Sequence, residues 1–283
     1  MPNDAPQGDE RRMKRLSPFF VLVTLGLLSY GFYQAMFAAP TEATMGDVQR
    51  IFYYHLPHAW VAFLLFFTNF LASIWYLVRR TERSDALALA SAEVGVVFCT
   101  VVLVTGPLWA RPVWGIWWTW DARLTSTLVL WLIYVSYLVL RRFATGAQTQ
   151  VLAAALAIFG FVDVPIVYLS IRYFRTQHPQ PVIAGGEGSG LDPRMWTAVL
   201  WNLAGFLALA LLLVRLRYRL ALEENALEEA HANRALTPPV EFPRASASAV
   251  GDSPESHSAL NTPQRPSNGL AGDPELKLGN KPR

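Results

Sequence analysis

Six stretches of roughly 17 to 22 residues follow one another almost free of charge: Phe19–Ala39, Ala59–Val78, Ala86–Thr105, Leu124–Leu140, Val151–Leu169 and Trp196–Val214. Each is close to the ~20 residues that an α-helix needs to cross about 30 Å of hydrocarbon. A helix satisfies its own backbone hydrogen bonds, so it is the open-ended element that a bilayer tolerates. Six such runs predict an all-α membrane protein with six transmembrane helices. Composition agrees, with 53% hydrophobic and 16% charged residues, where a soluble domain carries about 25% charged. The contrast is sharper within the apolar part, because the polar last 64 residues hold 8 of the 19 prolines. The single cysteine, Cys99, lies in an apolar run, and there is no CxxC or CxxCH string. That excludes a disulfide framework, thiol oxidoreductase chemistry and covalent attachment of a c-type haem to this chain.

Basic residues set the orientation. Arg11, Arg12, Lys14, Arg15, Arg79, Arg80, Arg83, Arg141, Arg142, Arg215, Arg217 and Arg219 flank the helices on one side, 12 in all, against 6 in the alternate loops. The expectation is that both termini are cytoplasmic and that loops 1, 3 and 5 face outward, in the cytoplasmic (inner) membrane. Met13–Ala39 also has the look of a long signal sequence, but its apolar run exceeds a usual signal core. The domain reading is therefore a cytoplasmic segment over 1–18 and a six-helix membrane domain over 19–219. An amphipathic acidic helix over 220–236 follows, then a Pro/Ser/Asn/Gly-rich tail over 237–283, whose composition predicts disorder.

Tryptophan is distributed unevenly. Five of the ten (Trp109, Trp114, Trp117, Trp118, Trp120) fall within twelve residues of the third, outward loop. An interfacial aromatic belt would spread over helix ends on both faces. Concentration in one loop favours a flat platform for a large planar apolar ligand, where offset stacking adds to area burial.

Histidine and charge point to the same face. His55 stands in outward loop 1 just before the second helix, and His178 in outward loop 5, while His231 and His257 belong to the tail. Neutral imidazole is a common haem-iron ligand, so His55 and His178 could sandwich a porphyrin resting on the tryptophans. His58, one turn beyond His55, is the weaker candidate. Arg123 and Arg50 lie on the correct side to pair with haem propionates. Asp121 is suited to cap the fourth helix, and a ligand role beside that one stays open. Glu93 and Asp163 are carboxylates within apolar spans and so are functional candidates of lower weight. There is no P-loop, HExxH, nucleophile elbow or dinucleotide-binding glycine turn, so hydrolase, kinase and dehydrogenase chemistry have no support. Nothing suggests nucleic-acid binding.

The string WGIWWTWDARLT (Trp114–Thr125) resembles the WWD signature of membrane haem-handling proteins in c-type cytochrome assembly. With an early histidine in YYHLPHAW and a late one in PIVYLSIRYFRTQH, the chain is most similar to the CcmC family, over roughly Met45–Val214. The resemblance implies a non-enzymatic role: haem b held non-covalently and transiently between His55 and His178. The WWD loop, here Trp114, Gly115, Trp117, Trp118, Trp120, Asp121 and Arg123, would form the platform and engage the next carrier. Implied partners are a periplasmic haem chaperone (CcmE-like), ABC transporter subunits (CcmA/CcmB-like), a small helical subunit (CcmD-like) and membrane lipid. Bis-imidazole ligation would favour oxidised, low-spin iron with no position open for oxygen chemistry.

Three features depart from the family pattern. Tyr173 and Phe174 stand where two tryptophans are expected, His58 where a small residue is usual, and the tail is longer than the family core. Two other readings compete. A b-type membrane cytochrome would place histidine pairs inside helices, and the expectation here is that no helix interior holds one. A cofactor-free assembly scaffold would use the Trp loop for protein docking.

Overall fold

In the computed structural model the described residues are 18–144, 148–174, 176–179 and 190–236. They form six helical spans long and apolar enough to cross a membrane, and no strand is found among them. The chain is a multi-pass membrane protein. In order, α1 (Pro18–Tyr33) ends in a π-helical turn (Gln34–Ala38), and a 3-10 turn (Asp47–Ile51) leads into α2 (Phe52–Arg79). Then follow α3 (Glu82–Trp114), α4 (Ala122–Phe143), α5 (Thr149–Phe161), α6 (Asp163–Tyr173) and α7 (Pro193–Leu236). Helices α5 and α6 together make the fifth span, broken at Val162.

Helices α2 and α3 form an antiparallel pair that packs along its length. Their connection is two residues, and Arg80 takes a left-handed conformation (φ 53°) to reverse the chain. Thr81 then caps α3 by accepting the Ser84 N–H. Close packing is possible because position 95 is glycine: a Cβ there would lie 2.7 Å from the Phe66 ring. Phe66 in turn stacks on Tyr134 of α4 with ring centres 3.8 Å apart, in the middle of the buried core. Helix α7 packs against α1, α2 and α3. Asn202 of α7 donates to the Gly31 carbonyl of α1 at 2.9 Å, which fastens the first span.

Two ion pairs join helices within the spans, whereas Asp163 Oδ2 in the fifth span is buried without a hydrogen-bond partner among the described residues. Arg141 at the end of α4 holds Asp85 near the start of α3 through two bonds of 2.8 and 2.7 Å, both side chains buried. Glu93 of α3 pairs with Arg217 of α7, Nη2 to Oε1 at 2.9 Å. Intramembrane carboxylates commonly pair in this way, so Glu93 ties two helices together and stands apart from the site described below.

Several sequence expectations are corrected. The helices run past the apolar windows, because hydropathy marks where side chains leave hydrocarbon, whereas backbone hydrogen bonding continues through interfacial aromatics. His55 is thus in the first turn of α2 rather than in a loop, and His58 lies deeper in the same helix. The expectation that no helix interior holds a histidine does not hold. Trp109 and Trp114 belong to α3, which continues through Pro107 and Pro112. The acidic stretch over 220–236 is a direct continuation of α7 rather than a separate helix. The expected disordered tail over 237–283 and residues 1–17 lie outside the described residues.

Candidate functional site

The chain direction brings the starts of α2, α4 and α7 and the ends of α3 and α6 to one end of the bundle. There the cavity of about 250 Å³ opens. His55, Trp60, Trp109, Trp114, Trp118, Arg123, Tyr168 and His178 line it, with Phe52, Phe63, Thr127, Cys99 and aliphatic side chains filling the remaining wall.

The two histidines both line this space, their ring centres 6.5 Å apart and planes 37° from parallel. A bond from a first-row metal to imidazole nitrogen is about 2 Å, and that nitrogen is about 1.1 Å from its ring centre. Two such bonds on opposite sides of one metal therefore separate the ring centres by about 6.2 Å. The observed 6.5 Å between ring centres is close to that separation.

Hydrogen bonds fix which nitrogen of each ring is available. The Thr105 hydroxyl gives its proton to the Val101 carbonyl at 2.7 Å, one turn back in α3. Its oxygen is then an acceptor for His55 Nδ1 at 2.8 Å, so Nδ1 carries the ring proton. His178 Nδ1 lies 2.9 Å from the Pro179 carbonyl, which can only accept. Both rings are held as the Nδ1–H tautomer, and neither Nε2 has a hydrogen-bond partner among the described residues, which leaves both lone pairs open to a metal. Burial and the nearby Arg123 guanidinium push the His178 pKa down to about 4, so this imidazole is neutral at physiological pH.

The polypeptide around the rings follows from local sequence. Gly106 on α3 passes the His55 ring, 3.6 Å from the position of a Cβ. Helix α3 ends at Gly115, whose left-handed conformation (φ 79°) suits glycine and turns the chain into the Trp loop. Asp121 caps α4 by accepting the Leu124 N–H at 2.9 Å. Its other oxygen accepts from Thr119 at 3.0 Å and from Thr176 at 2.8 Å. Burial alone would raise this carboxyl, but the Leu124, Thr176 and Thr119 bonds outweigh it and hold it below the usual range. Asp121 is thus a cap and a tether, and it is absent from the cavity lining.

Other expected site residues are divided between the cavity and its surroundings. Trp114, Trp118 and Arg123 line it, and Arg123 Nη1 donates to the Val167 carbonyl at 3.3 Å. Trp117 and Trp120 are absent from its lining and are 56% and 77% exposed. Arg50 faces a separate recess with Met36 and Tyr54, its guanidinium bonded to Asp47, the Ala35 carbonyl and Thr41. His58 points into the core between Phe98 and Phe206 and bonds the Tyr54 carbonyl at 2.8 Å. Asp163 starts α6 one turn before Val167, outside the cavity lining. Sequence reasoning missed Trp60, Thr105 and Tyr168. The spacing of Thr105 from His55 reveals nothing until α2 and α3 are paired.

The chemistry of the lining residues suits a haem. Four indoles and other apolar groups make an apolar wall, Arg123 supplies one cation, and Nε2 of His55 and of His178 are the candidate axial ligands. Trp118 Nε1–H is buried without a hydrogen-bond partner among the described residues, an orphan donor beside the cavity it lines. A carboxylate reaching this wall would satisfy it.

Comparison with known proteins shows the family. Residues 4–233 match the family described as CcmC, Heme exporter protein C. The chain belongs to the CcmC family. It is 36% identical over 179 residues to Heme exporter protein C of Bradyrhizobium diazoefficiens, covering 63% of this chain and 68% of that protein. Over 222 residues it is 32% identical to Heme exporter protein C of Haemophilus influenzae, covering 78% and 90% respectively. A putative cytochrome c biosynthesis ccmC-like mitochondrial protein of Arabidopsis thaliana is 31% identical over 219 residues, 76% of this chain and 83% of its own length. The CcmC match ends at residue 233, close to the end of α7, and so leaves out most of the polar tail.

Proposed function

We propose that this protein binds haem b, non-covalently and transiently, at the extracytoplasmic face of the cytoplasmic membrane, and passes it on for c-type cytochrome assembly. It does so without chemical turnover. The observation that carries this reading is the pair of bare Nε2 atoms on rings 6.5 Å apart in an apolar, tryptophan-walled cavity. His55 and His178 are the axial ligands. Trp114 and Trp118 of the WWD loop, with Trp60 and Trp109, form the wall on which the macrocycle packs. Arg123 is the propionate partner, and the expected second partner, Arg50, is engaged elsewhere.

The acceptor is a periplasmic haem chaperone of the CcmE type. The protein works beside ABC transporter subunits of the CcmA/CcmB type and a small helical CcmD-like subunit. Placement of the site at the outer face rests on the 12-to-6 distribution of basic residues between the two sides. A b-type electron-transfer cytochrome fits less well, even though His55 and His58 are both helical. His58 is turned away from the cavity, and the opposing ligand sits beyond the end of a helix.

Co-purification with the periplasmic chaperone, scored by haem per protein, tests the reading. The wild type is expected to carry haem into the complex, the His55→Ala variant to lose it, and the His178→Ala variant to carry less than the wild type. Equal haem in all three would reject it.

A further inference from the structure

The two ligands are held by unequal means. His55 sits in the first turn of a 28-residue helix, and its Nδ1 is bonded to the neighbouring helix α3. His178 follows the end of α6 in irregular chain. Its own bonds are local: its N–H donates to Thr176 Oγ1 at 3.1 Å, and its Nδ1 to the adjacent Pro179 carbonyl. Among the described residues, a bond that leaves this segment for the bundle is made by Thr176, whose hydroxyl donates to Asp121 Oδ2 at 2.8 Å. Asp121 is itself fixed, because Oδ1 caps α4 and Oδ2 also accepts from Thr119 in the Trp loop. One carboxylate therefore joins a helix terminus, the Trp loop and the late histidine segment.

We propose that Asp121, acting through the Thr176 hydroxyl, is the positioning residue for His178, and that His178 is the ligand surrendered first when haem is transferred. The inference rests on the bis-imidazole reading above and adds an order of events to it. The iron–Nε2 bond to His178 breaks with its electron pair returning to the nitrogen. The vacated position is filled by the lone pair of an imidazole from the acceptor protein. The iron keeps its oxidation state, and no proton moves, because His178 already carries its proton on Nδ1. His55, braced by Thr105 between two packed helices, keeps its bond until the acceptor holds the iron.

The test uses full-length, haem-loaded protein in detergent, with apomyoglobin as the haem acceptor. Haem-transfer rate and the high-spin signal in electron paramagnetic resonance are the readouts. In Thr176→Val the strap is broken without a change of size. It is expected to show a new high-spin fraction and about tenfold faster haem loss, the scale on which outer partners of metal-ligating histidines act. Thr176→Ser restores the donor and should return both readouts to wild type. Asp121→Asn keeps a good helix cap and should shift both readouts in the same direction as Thr176→Val. His178→Ala should retain five-coordinate haem through His55, whereas His55→Ala should lose haem outright. Wild-type behaviour of Thr176→Val in both readouts, or better haem retention by His55→Ala than by His178→Ala, would overturn the inference. Absence of a low-spin bis-imidazole spectrum in the wild type would instead reject the underlying reading, and the order of transfer with it.

Discussion

The Thr105 hydroxyl of α3 accepts the Nδ1 proton of His55 on α2 at 2.8 Å, while its own proton goes to the Val101 carbonyl. This makes a threonine within an apolar span the group that decides which nitrogen of His55 meets the iron. Replacing Thr105 with valine removes the acceptor and leaves the shape. Loss of such an outer partner weakens metal affinity by about 10- to 100-fold. Haem titration of the Thr105→Val apoprotein is expected to give a dissociation constant raised within that range, and Thr105→Ser a value near wild type.

Arg123 is the basic side chain in the cavity wall, and it is expected to recognise a propionate with the help of Trp118 Nε1–H. A hydrogen bond to a charged group contributes about 1.5 to 3 kcal/mol, which corresponds to at least about tenfold in affinity. The wild type should therefore bind haem at least about tenfold more tightly than haem dimethyl ester. Arg123→Leu should bind the two equally, as read from competition titrations.

His178 gives the pH dependence. Its folded pKa of about 4 lies below the ordinary 6.5, so between those values the unfolded chain binds the proton and the folded chain does not. Stability of the haem-free protein from this group is therefore complete above pH 6.5 and falls as pH drops toward 4, with no further change below. Nε2 of His178 also remains free of protons down to the same region. Haem affinity should stay level from pH 8 to about 5 and drop near pH 4. A midpoint near 6.5 would mean that the imidazole is solvated in the resting protein.

The Asp85–Arg141 pair joins α3 to α4 far from the cavity, with both side chains about one-tenth exposed. Removing one partner of a buried pair typically costs about 3 to 5 kcal/mol. Asp85→Ala should lower the thermal unfolding temperature in detergent clearly, without altering the absorption spectrum of haem bound to the folded fraction.

Much of this was readable in the residues. Six apolar windows gave six spans, because hydrocarbon thickness sets helix length directly. His55, His178, Trp114, Trp118 and Arg123 could be assigned to one end of the bundle by counting spans. What stayed hidden depends on packing between helices. Nothing in the run around Thr105 distinguishes it from Thr100, yet only pairing of α2 with α3 sets it against His55. Arg50 and Arg123 are equally placed by topology, and only tertiary contacts show Arg50 bonded to the Ala35 carbonyl. Likewise, Trp117 and Trp118 are neighbours in sequence, but only Trp118 lines the cavity.

Electron paramagnetic resonance of the haem-loaded protein, recorded for the wild type and for single alanine variants of His55, His58, His178 and His231, tests the clamp most directly. The account predicts a low-spin ferric signal with two imidazoles in the wild type, in His58→Ala and in His231→Ala. It predicts loss of that signal in His55→Ala and in His178→Ala. A low-spin signal that survives removal of His55 or of His178 would contradict it.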